Sequence, residues 1–364
     1  MNPFASNSVS SVTPLSLLVG RSEELDRVSE ILRLDGDLVL TGVPGVGRRT
    51  LIRSAARKLG AKVVEIDCLR STDCSRFLRL FADAMLNAFQ SPMELSLVQK
   101  FIAVSPLLLE TSGTGKAKLL WQFAAEWELF QILLALPQAL AEALDCRVVL
   151  VFQNFPHIRS WDRSGQWEQH LRQEIQVQAR VSYAIVATVA ENWSEQPDMV
   201  SVVLAPVSDA AMRSWLLAVM RQVELNLDQD AIRLFLDTVQ GHFGDAIALA
   251  KRIWLDYRHG VSSSVRSHQV YRSSVSLMED LSVTFESLIL LLPSTQVRVL
   301  ESLALDPTDR PHAKEYMLKH QLSRGGTLQG ALSSLEGKGL IYGAERRYAI
   351  ALPMLGLWLR HRLG

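Results

Sequence analysis

The chain has 364 residues, 48% hydrophobic and 21% charged, a composition typical of a globular protein with two or three domains. Its 38 basic and 38 acidic side chains give a formal net charge of zero, which excludes a whole-chain basic surface for nucleic acid but not a local patch. No apolar run approaches the roughly 20 residues of a membrane span, and the first residues do not resemble a secretory leader. We therefore expect a cytoplasmic protein with no membrane partner.

The N-terminal half alternates strands with helices. Residues 1–16 are predicted to be a flexible tail, and a helix begins at Ser22. Residues 71–145 are predicted to be mostly helical, with one broad apolar helix over residues 119–144. The predicted strands are residues 37–41, 62–67, 147–152, 182–189 and 200–204. Because strands alternate with helices, we predict an α/β fold with a parallel sheet covered on both faces.

The C-terminal half is predicted to be largely helical. Residues 208–259 give three helices, and the Ser-rich stretch at residues 261–276 is predicted to be a linker. Residues 288–364 predict three helices, a hairpin and a closing helix. The three cysteines, Cys68, Cys74 and Cys146, are not clustered with histidines, so the sequence predicts no metal site.

A glycine-rich turn, Gly42–Gly47, joins the first strand to a helix. In the pattern G-x-x-x-x-G-K-[ST], backbone N–H groups surround phosphates, the Lys reaches them and the hydroxyl ligates Mg²⁺. Here Arg48 stands at the Lys position and Arg49 at the hydroxyl position. Arg does not replace the compact Lys ammonium, and a second cation disfavours Mg²⁺. Thr50 comes one residue late, which turns it about 100° around the helix.

Several segments of the chain, taken in sequence order, resemble the motifs of the P-loop AAA+/STAND ATPases, in particular those of the archaeal-type ATPase group. Residues 19–21 resemble the family's N-terminal box beside the adenine, residues 42–50 its Walker A loop, residues 148–154 its Walker B strand and residues 184–188 its sensor-1 strand. The resemblance implies a P-loop NTPase αβα sandwich over residues 17–206, a helical lid over residues 207–260, a linker or helix over residues 261–287 and a winged-helix domain over residues 288–364.

The resemblance also implies which residues would contact a nucleotide. These are Val19, Gly20, Arg21, Gly42, Val43, Pro44, Gly45, Val46, Gly47, Arg48, Arg49, Thr50, Thr188, Gly241 and His242. The family expects two carboxylates after the Walker B strand, but this chain has Gln153 and Asn154, neutral amides that neither attract Mg²⁺ nor accept a proton. The lid turn carries no sensor-2 Arg, since Lys251 and Arg252 follow about two turns later. We therefore expect no catalytic residue, no required cofactor and no metal.

The C-terminal unit is a candidate for DNA or partner binding. It carries ten basic and six acidic residues, which permits phosphate contacts. The candidate contact residues are Arg324, Thr327, Arg346 and Arg347. The helix that a DNA-binding relative inserts into the major groove offers few side chains for base readout.

The sequence leaves three functions open. It favours a catalytically impaired, pseudo-ATPase scaffold or regulator that binds a protein partner or a second copy of itself. The first alternative is a nucleotide-binding switch with weak ATPase activity, in which ATP or ADP binds without Mg²⁺. The second is a DNA-binding regulator that acts through the winged helix.

Overall fold

The computed structural model describes residues 18–111, 117–121, 124–189, 199–257, 264–322, 325–343 and 347–364. The chain divides into two compact units. We call residues 22–41 and 48–203 the sheet unit, and residues 18–21, 42–47 and 204–364 the helical unit. The predicted tail lies outside the described residues.

A five-stranded parallel sheet forms the centre of the sheet unit, in the order β2-β5-β6-β1-β7. The strands are β1 (Asp37–Thr41), β2 (Lys62–Asp67), β5 (Val148–Gln153), β6 (Val181–Ala187) and β7 (Met199–Val203). Every residue of β1, β5 and β6 is buried, as expected for central strands with helices on both faces. The predicted parallel sheet is confirmed.

Helices and one hairpin complete the sheet unit. The helices are α1 (Ser22–Arg33), α2 (Arg48–Lys58), α3 (Cys74–Ala88), α4 (Pro92–Ile102), α5 (Glu126–Leu144) and α6 (Gln166–Val177), and the hairpin strands are β3 (Leu107–Thr111) and β4 (Ala117–Trp121). Aromatic and aliphatic side chains of α3, α5 and α6 pack with β2, β5 and β6 in one hydrophobic core.

Residues 71–145 are mostly helical, as predicted, but the hairpin corrects the prediction of one helix over residues 119–144. Strands β3 and β4 pair antiparallel, with Leu107 and Leu119 buried while Leu108 and Leu120 are exposed. Leucines lie on both the buried and the exposed face of the hairpin, so the sequence itself does not show this period-two alternation. For this reason the pattern predicts a helix at residues 119 and 120. That helix, α5, begins only at Glu126.

A second core runs through the whole helical unit. Its lid part contains α7 (Asp209–Gln222), α8 (Gln229–Val239) and α9 (Phe243–Tyr257), with the short strands β8 (Asn226–Leu227) and β9 (Ser264–Val265). Helix α10 (Ser267–Leu290) contributes Val270, Met278, Phe285 and Ile289 to the same core. The lid and the winged helix are therefore parts of one packed unit.

Helix α10 decides between the linker and the helix that the sequence left open for residues 261–287. From Ser267 onward the Ser-rich stretch is helical. The hydroxyl of Ser273 donates to the Asp256 carboxylate at 2.6 Å, and that of Ser274 donates to the Tyr271 carbonyl at 2.7 Å. These bonds and the buried apolar residues of α10 outweigh the modest helix propensity of serine.

The C-terminal part has the predicted winged-helix element order. It contains α11 (Ser294–Leu305), α12 (Lys314–Lys319), α13 (Gly326–Gly337), the antiparallel pair β10 (Ile341–Tyr342) and β11 (Ala349–Ile350), and α14 (Pro353–Leu363). Within the described ranges, no helix is both long enough and apolar enough to cross a membrane.

The shared core of the helical unit makes a prediction for α14. Leu355 is fully buried in that core, whereas Leu363 on the same helix is 42% exposed. We expect Leu355→Ala to lower the free energy of unfolding by about 2–5 kcal/mol, because it leaves a cavity, and Leu363→Ala to lower it by less than about 1 kcal/mol. Urea denaturation of both variants measures the difference. Equal losses would show that α14 does not belong to this core.

Candidate phosphate-binding site

The glycine-rich loop, Gly42–Gly47, is held through its carbonyl groups. The Nε2 atom of His242 lies 2.7 Å from the Pro44 carbonyl oxygen, and the Gly244 N–H donates to the Gly45 carbonyl at 3.0 Å. Both partners lie where the chain turns from α8 into α9, and Gln240 and Gly241 in that turn have positive φ angles. The lid turn therefore fixes the conformation of the loop.

Close approach of the histidine requires a glycine at position 45. A Cβ atom there would lie only 2.5 Å from His242 Nε2, and its φ is +90°. Gly47 has a similar φ of +97°, but a Cβ there would meet nothing within 4 Å. In the described part of the chain, the N–H groups of Gly45, Val46 and Gly47 donate to no other group. Donors of this kind are what a phosphate requires.

The N-terminal box also packs within the helical unit. Val19 is buried, and Gly20 lies against Val207 and Ala211. Arg21 is buried and its guanidinium donates to the Ala205 carbonyl. The sequence predicted contact with adenine here, and that role stays a prediction.

His242 is the titratable side chain of the lid turn that contacts the loop. Its ring is buried, and its Nδ1 lies 3.2 Å from the Asp245 carboxylate. Burial opposes the charged ring, but the Asp245 carboxylate and the Pro44 carbonyl outweigh it and raise the pKa of His242 above its ordinary value. A protonated ring donates to Pro44 from Nε2 and to Asp245 from Nδ1.

The two arginines that follow the loop are engaged within the sheet unit. The Arg48 guanidinium donates to the Ala187 carbonyl, at the carboxyl end of β6, at 2.8 Å. Burial lowers the pKa of this guanidinium. Arg49 forms an ion pair with Glu65 of β2, and Arg53 donates to the same carboxylate at 2.7 Å. The pairing of Glu65 with these arginines was not predicted, because it joins a helix to a strand that follows it in the chain.

Strand β5 ends in two amides. Gln153 is buried, and its Nε2 has no hydrogen-bond partner in the described part of the chain. Asn154 has a positive φ of 54° and donates from Nδ2 to Asp67 Oδ1 at 3.0 Å. Asp67 ends the neighbouring strand β2, in register with Gln153. The same carboxylate oxygen also accepts the Leu69 N–H, so Asp67 is engaged in local structure.

Two threonines are also predicted to contact a nucleotide. Thr188 directly follows β6, and Thr50 lies in the first turn of α2, both half-buried. Arg252, which comes too late in the chain for the sensor-2 position, pairs with Asp280 at 2.9 Å and lies 3.6 Å from Asp256. It therefore joins α9 to α10.

Similarity to known proteins agrees with this architecture. A family described as "Probable winged helix domain" matches residues 283–361. A Walker-type ATPase of Pyrococcus abyssi superposes with a TM-score of 0.67 at 16% identity, covering 98% of this chain and 99% of that one. The Orc1 protein of Aeropyrum pernix, solved in complex with DNA, superposes with a TM-score of 0.51 at 15% identity, covering 96% and 94%. No curated protein sequence matches the chain.

The chain has an AAA+-like P-loop ATPase fold with a C-terminal winged helix domain. This confirms the fold that the order of the sequence motifs predicted. At these identities the likeness shows the fold alone, so the nucleotide contacts stay predictions. Within the described ranges, no three His, Cys, Asp or Glu side chains are grouped to hold a metal ion.

The winged helix presents few charged groups on α13. Its exposed residues include Thr327, Gln329, Gly330 and Ser333, none of them charged. Arg347 donates to the Pro307 carbonyl from Nε at 3.1 Å and lies 3.6 Å from the Asp309 carboxylate. Arg324 and Arg346 lie outside the described residues. Within those residues, the basic contacts predicted for this surface reduce to Arg347, which is tied to its own domain.

Because His242 lies against Gly45 but not against Gly47, we expect substitutions of these two glycines to lower the free energy of unfolding by different amounts. Gly45→Ala and Gly47→Ala both introduce a side chain at positive φ, which costs about 1–2 kcal/mol. Only Gly45→Ala also collides with His242, so we expect it to lose at least about 1 kcal/mol more of unfolding free energy. Chemical denaturation measures both values. In a His242→Ala background, Gly45→Ala should lose no more unfolding free energy than Gly47→Ala. A larger loss that persists there would show that His242 is not what excludes a side chain at position 45.

Proposed function

We propose that this chain is a cytoplasmic, catalytically impaired AAA+/STAND-like protein that works by binding. In this proposal it serves as a scaffold or regulator of a protein partner or of a second copy of itself. The observation that carries the proposal is the end of β5, where Gln153 and Asn154 stand at the positions of the Walker B carboxylates.

The chemistry of ATP hydrolysis supports this interpretation. Phosphoryl transfer depends on positioning and on neutralising charge, with Mg²⁺ and a water-orienting group as the principal contributors. Amides supply neither the negative charge that Mg²⁺ prefers nor a base. The carboxylate at the end of the neighbouring strand β2, Asp67, already accepts hydrogen bonds from Asn154 and from the Leu69 N–H.

The arginines at positions 48 and 49 support the same conclusion. A Walker A Lys must extend into the loop, but the Arg48 guanidinium is bonded to the Ala187 carbonyl. Arg49 places a cation where a hydroxyl would ligate the metal, and its charge is directed to Glu65. Two independent motifs thus lack the groups that activate a Mg·ATP complex.

A nucleotide-binding switch with weak ATPase activity is the first alternative. The loop N–H groups of Gly45, Val46 and Gly47 have no partner in the described part of the chain. They could hold the phosphates of ATP or ADP without a metal, because a loop of N–H groups with positive-φ glycines is an anion site in its own right.

Restoring the missing groups tests the proposal. The variant Arg48→Lys, Arg49→Thr, Gln153→Asp and Asn154→Glu should raise Mg²⁺-dependent ATP turnover at least about 100-fold, since a metal site and a base each contribute about 10²–10⁴-fold. The matched control, Arg48→Lys with Arg49→Thr alone, should stay at the unmodified level because the amides remain. Release of inorganic phosphate is the measurement. If the unmodified protein already hydrolyses ATP as fast as the variant with all four substitutions, the proposal is refuted.

DNA binding by the winged helix is the second alternative. The winged-helix match and the fold shared with an Orc1 protein solved in complex with DNA favour it. The uncharged exposed face of α13 disfavours readout of bases by that helix. Binding would then depend mainly on phosphate contacts from the β10–β11 region, where Arg347 lies.

Salt dependence tests the DNA alternative. If Arg346 and Arg347 contact phosphates, Arg346→Ala with Arg347→Ala should weaken duplex DNA binding and make the slope of log K against log salt shallower by about two. Arg33→Ala, which removes an exposed arginine paired with Glu30 in the sheet unit, is the control. Fluorescence anisotropy across a salt series is the measurement. An unchanged slope in the double variant would exclude this surface.

A further inference from the structure

A continuous series of polar contacts joins the glycine-rich loop Gly42–Gly47, which we call the phosphate loop, to the winged helix. The Pro44 carbonyl contacts His242 Nε2 at 2.7 Å, and His242 Nδ1 lies 3.2 Å from Asp245 Oδ1. The other oxygen of that carboxylate, Oδ2, accepts the backbone N–H of Met354 at 3.0 Å. All four residues belong to the helical unit.

The last contact replaces a missing helix cap. Helix α14 begins at Pro353, and the residue at its N-cap, Leu352, has no side chain that can accept a hydrogen bond. Asp245 performs this function from α9, where it also lies in the first turn. One carboxylate thus stabilises the positive N-terminal ends of two helices, in the lid and in the winged helix.

The protonation state of His242 decides how this carboxylate is held. A protonated ring donates from Nδ1 to Asp245 Oδ1, which leaves Oδ2 directed at Met354. In a neutral ring that still donates to Pro44 from Nε2, Nδ1 becomes an acceptor, and the Asp245 N–H lies 3.1 Å away to donate to it. The Nδ1 lone pair then faces the carboxylate and repels it.

We propose that His242 and Asp245 form a protonation-dependent latch between the phosphate loop and the N-terminus of α14. The latch is closed when His242 is charged, and it releases the Met354 cap when the ring loses its proton. It does not depend on whether the loop binds a nucleotide, so it stands or fails separately from the function proposed above.

The surroundings of His242 determine the direction of the pH effect. Among the described residues, Asp245 on α9 is the charged group that acts on the ring, while the loop presents the Pro44 carbonyl and α14 presents only its backbone N–H to Asp245. The pKa of His242 is raised, so the latch is fully closed below about pH 6.5, the ordinary histidine value. It opens as the pH rises through the raised pKa.

Amide hydrogen exchange in the full-length protein tests the latch. After correction for intrinsic exchange rates, we expect the protection of the Met354 amide to fall about fivefold as the pH rises from 6 through the titration midpoint of His242, the size of a lost cap. His242→Gln should abolish this pH dependence, and Asp245→Ala should give the low protection already at pH 6. The matched control is His320→Gln, which removes another histidine 3.2 Å from an aspartate, Asp306. It should leave the pH dependence of Met354 intact.

A measurement on the unmodified protein covers the case in which a variant fails to fold. In NMR titrations, the His242 ring and the Met354 amide should shift with one common midpoint above pH 6.5. A Met354 amide that does not follow the His242 midpoint would overturn the latch. A His242→Gln variant that is folded and keeps the full pH dependence would overturn it equally.

Discussion

Negative oxygen atoms at the ends of parallel strands are what allow this fold to hold a divalent cation. The strand that should supply them, β5, ends in Gln153 and Asn154, and the second amide is bonded to Asp67 at the end of β2. With those charges absent, Mg²⁺ has little to attract it. The arginines at the start of α2 complete the change, because their charges are directed to the Ala187 carbonyl and to Glu65. In the function that we propose, the absence of these charges is the reason why the chain would act by binding rather than by hydrolysis.

The phosphate loop keeps its conformation by contacts that need neither metal nor nucleotide. The lid turn binds two of its carbonyl groups, through His242 and the Gly244 N–H. The same turn is joined to α14 through Asp245. In the function that we propose, a loop held in this way keeps its geometry without catalysis, and its surroundings take on a regulatory role. This separation of loop geometry from metal chemistry is what makes a binding function physically reasonable.

Much of the fold could be predicted from the sequence. Strands β1, β5 and β6 are short, continuous apolar runs, which is how fully buried parallel strands are recognised. The element order of residues 288–364 was also predicted, and the family resemblance implied that it forms a winged helix. The β3–β4 hairpin was missed because leucines occupy both its buried and its exposed positions. For α10 the sequence left a linker and a helix open, because serine is common in linkers, whereas Ser273 is bonded to Asp256 in the folded chain.

The site itself could be predicted only in part. The loop glycines and the unusual residues at positions 48, 49, 153 and 154 are local in sequence, so the pattern located them. Glu65, Asp67 and Asp245 are not part of any motif, and their partners become neighbours only in the folded chain. No spacing rule indicates that a lid aspartate caps a helix more than 100 residues further along. Such contacts depend on tertiary packing, which local patterns do not encode.

Isothermal titration calorimetry with ATP, in the presence and absence of Mg²⁺, measures whether this chain uses the metal to bind a nucleotide. We predict that Mg²⁺ leaves the affinity of the protein for ATP unchanged or lowers it, because Gln153 and Asn154 offer the metal no carboxylate. Binding that is tight only with Mg²⁺ would contradict the account.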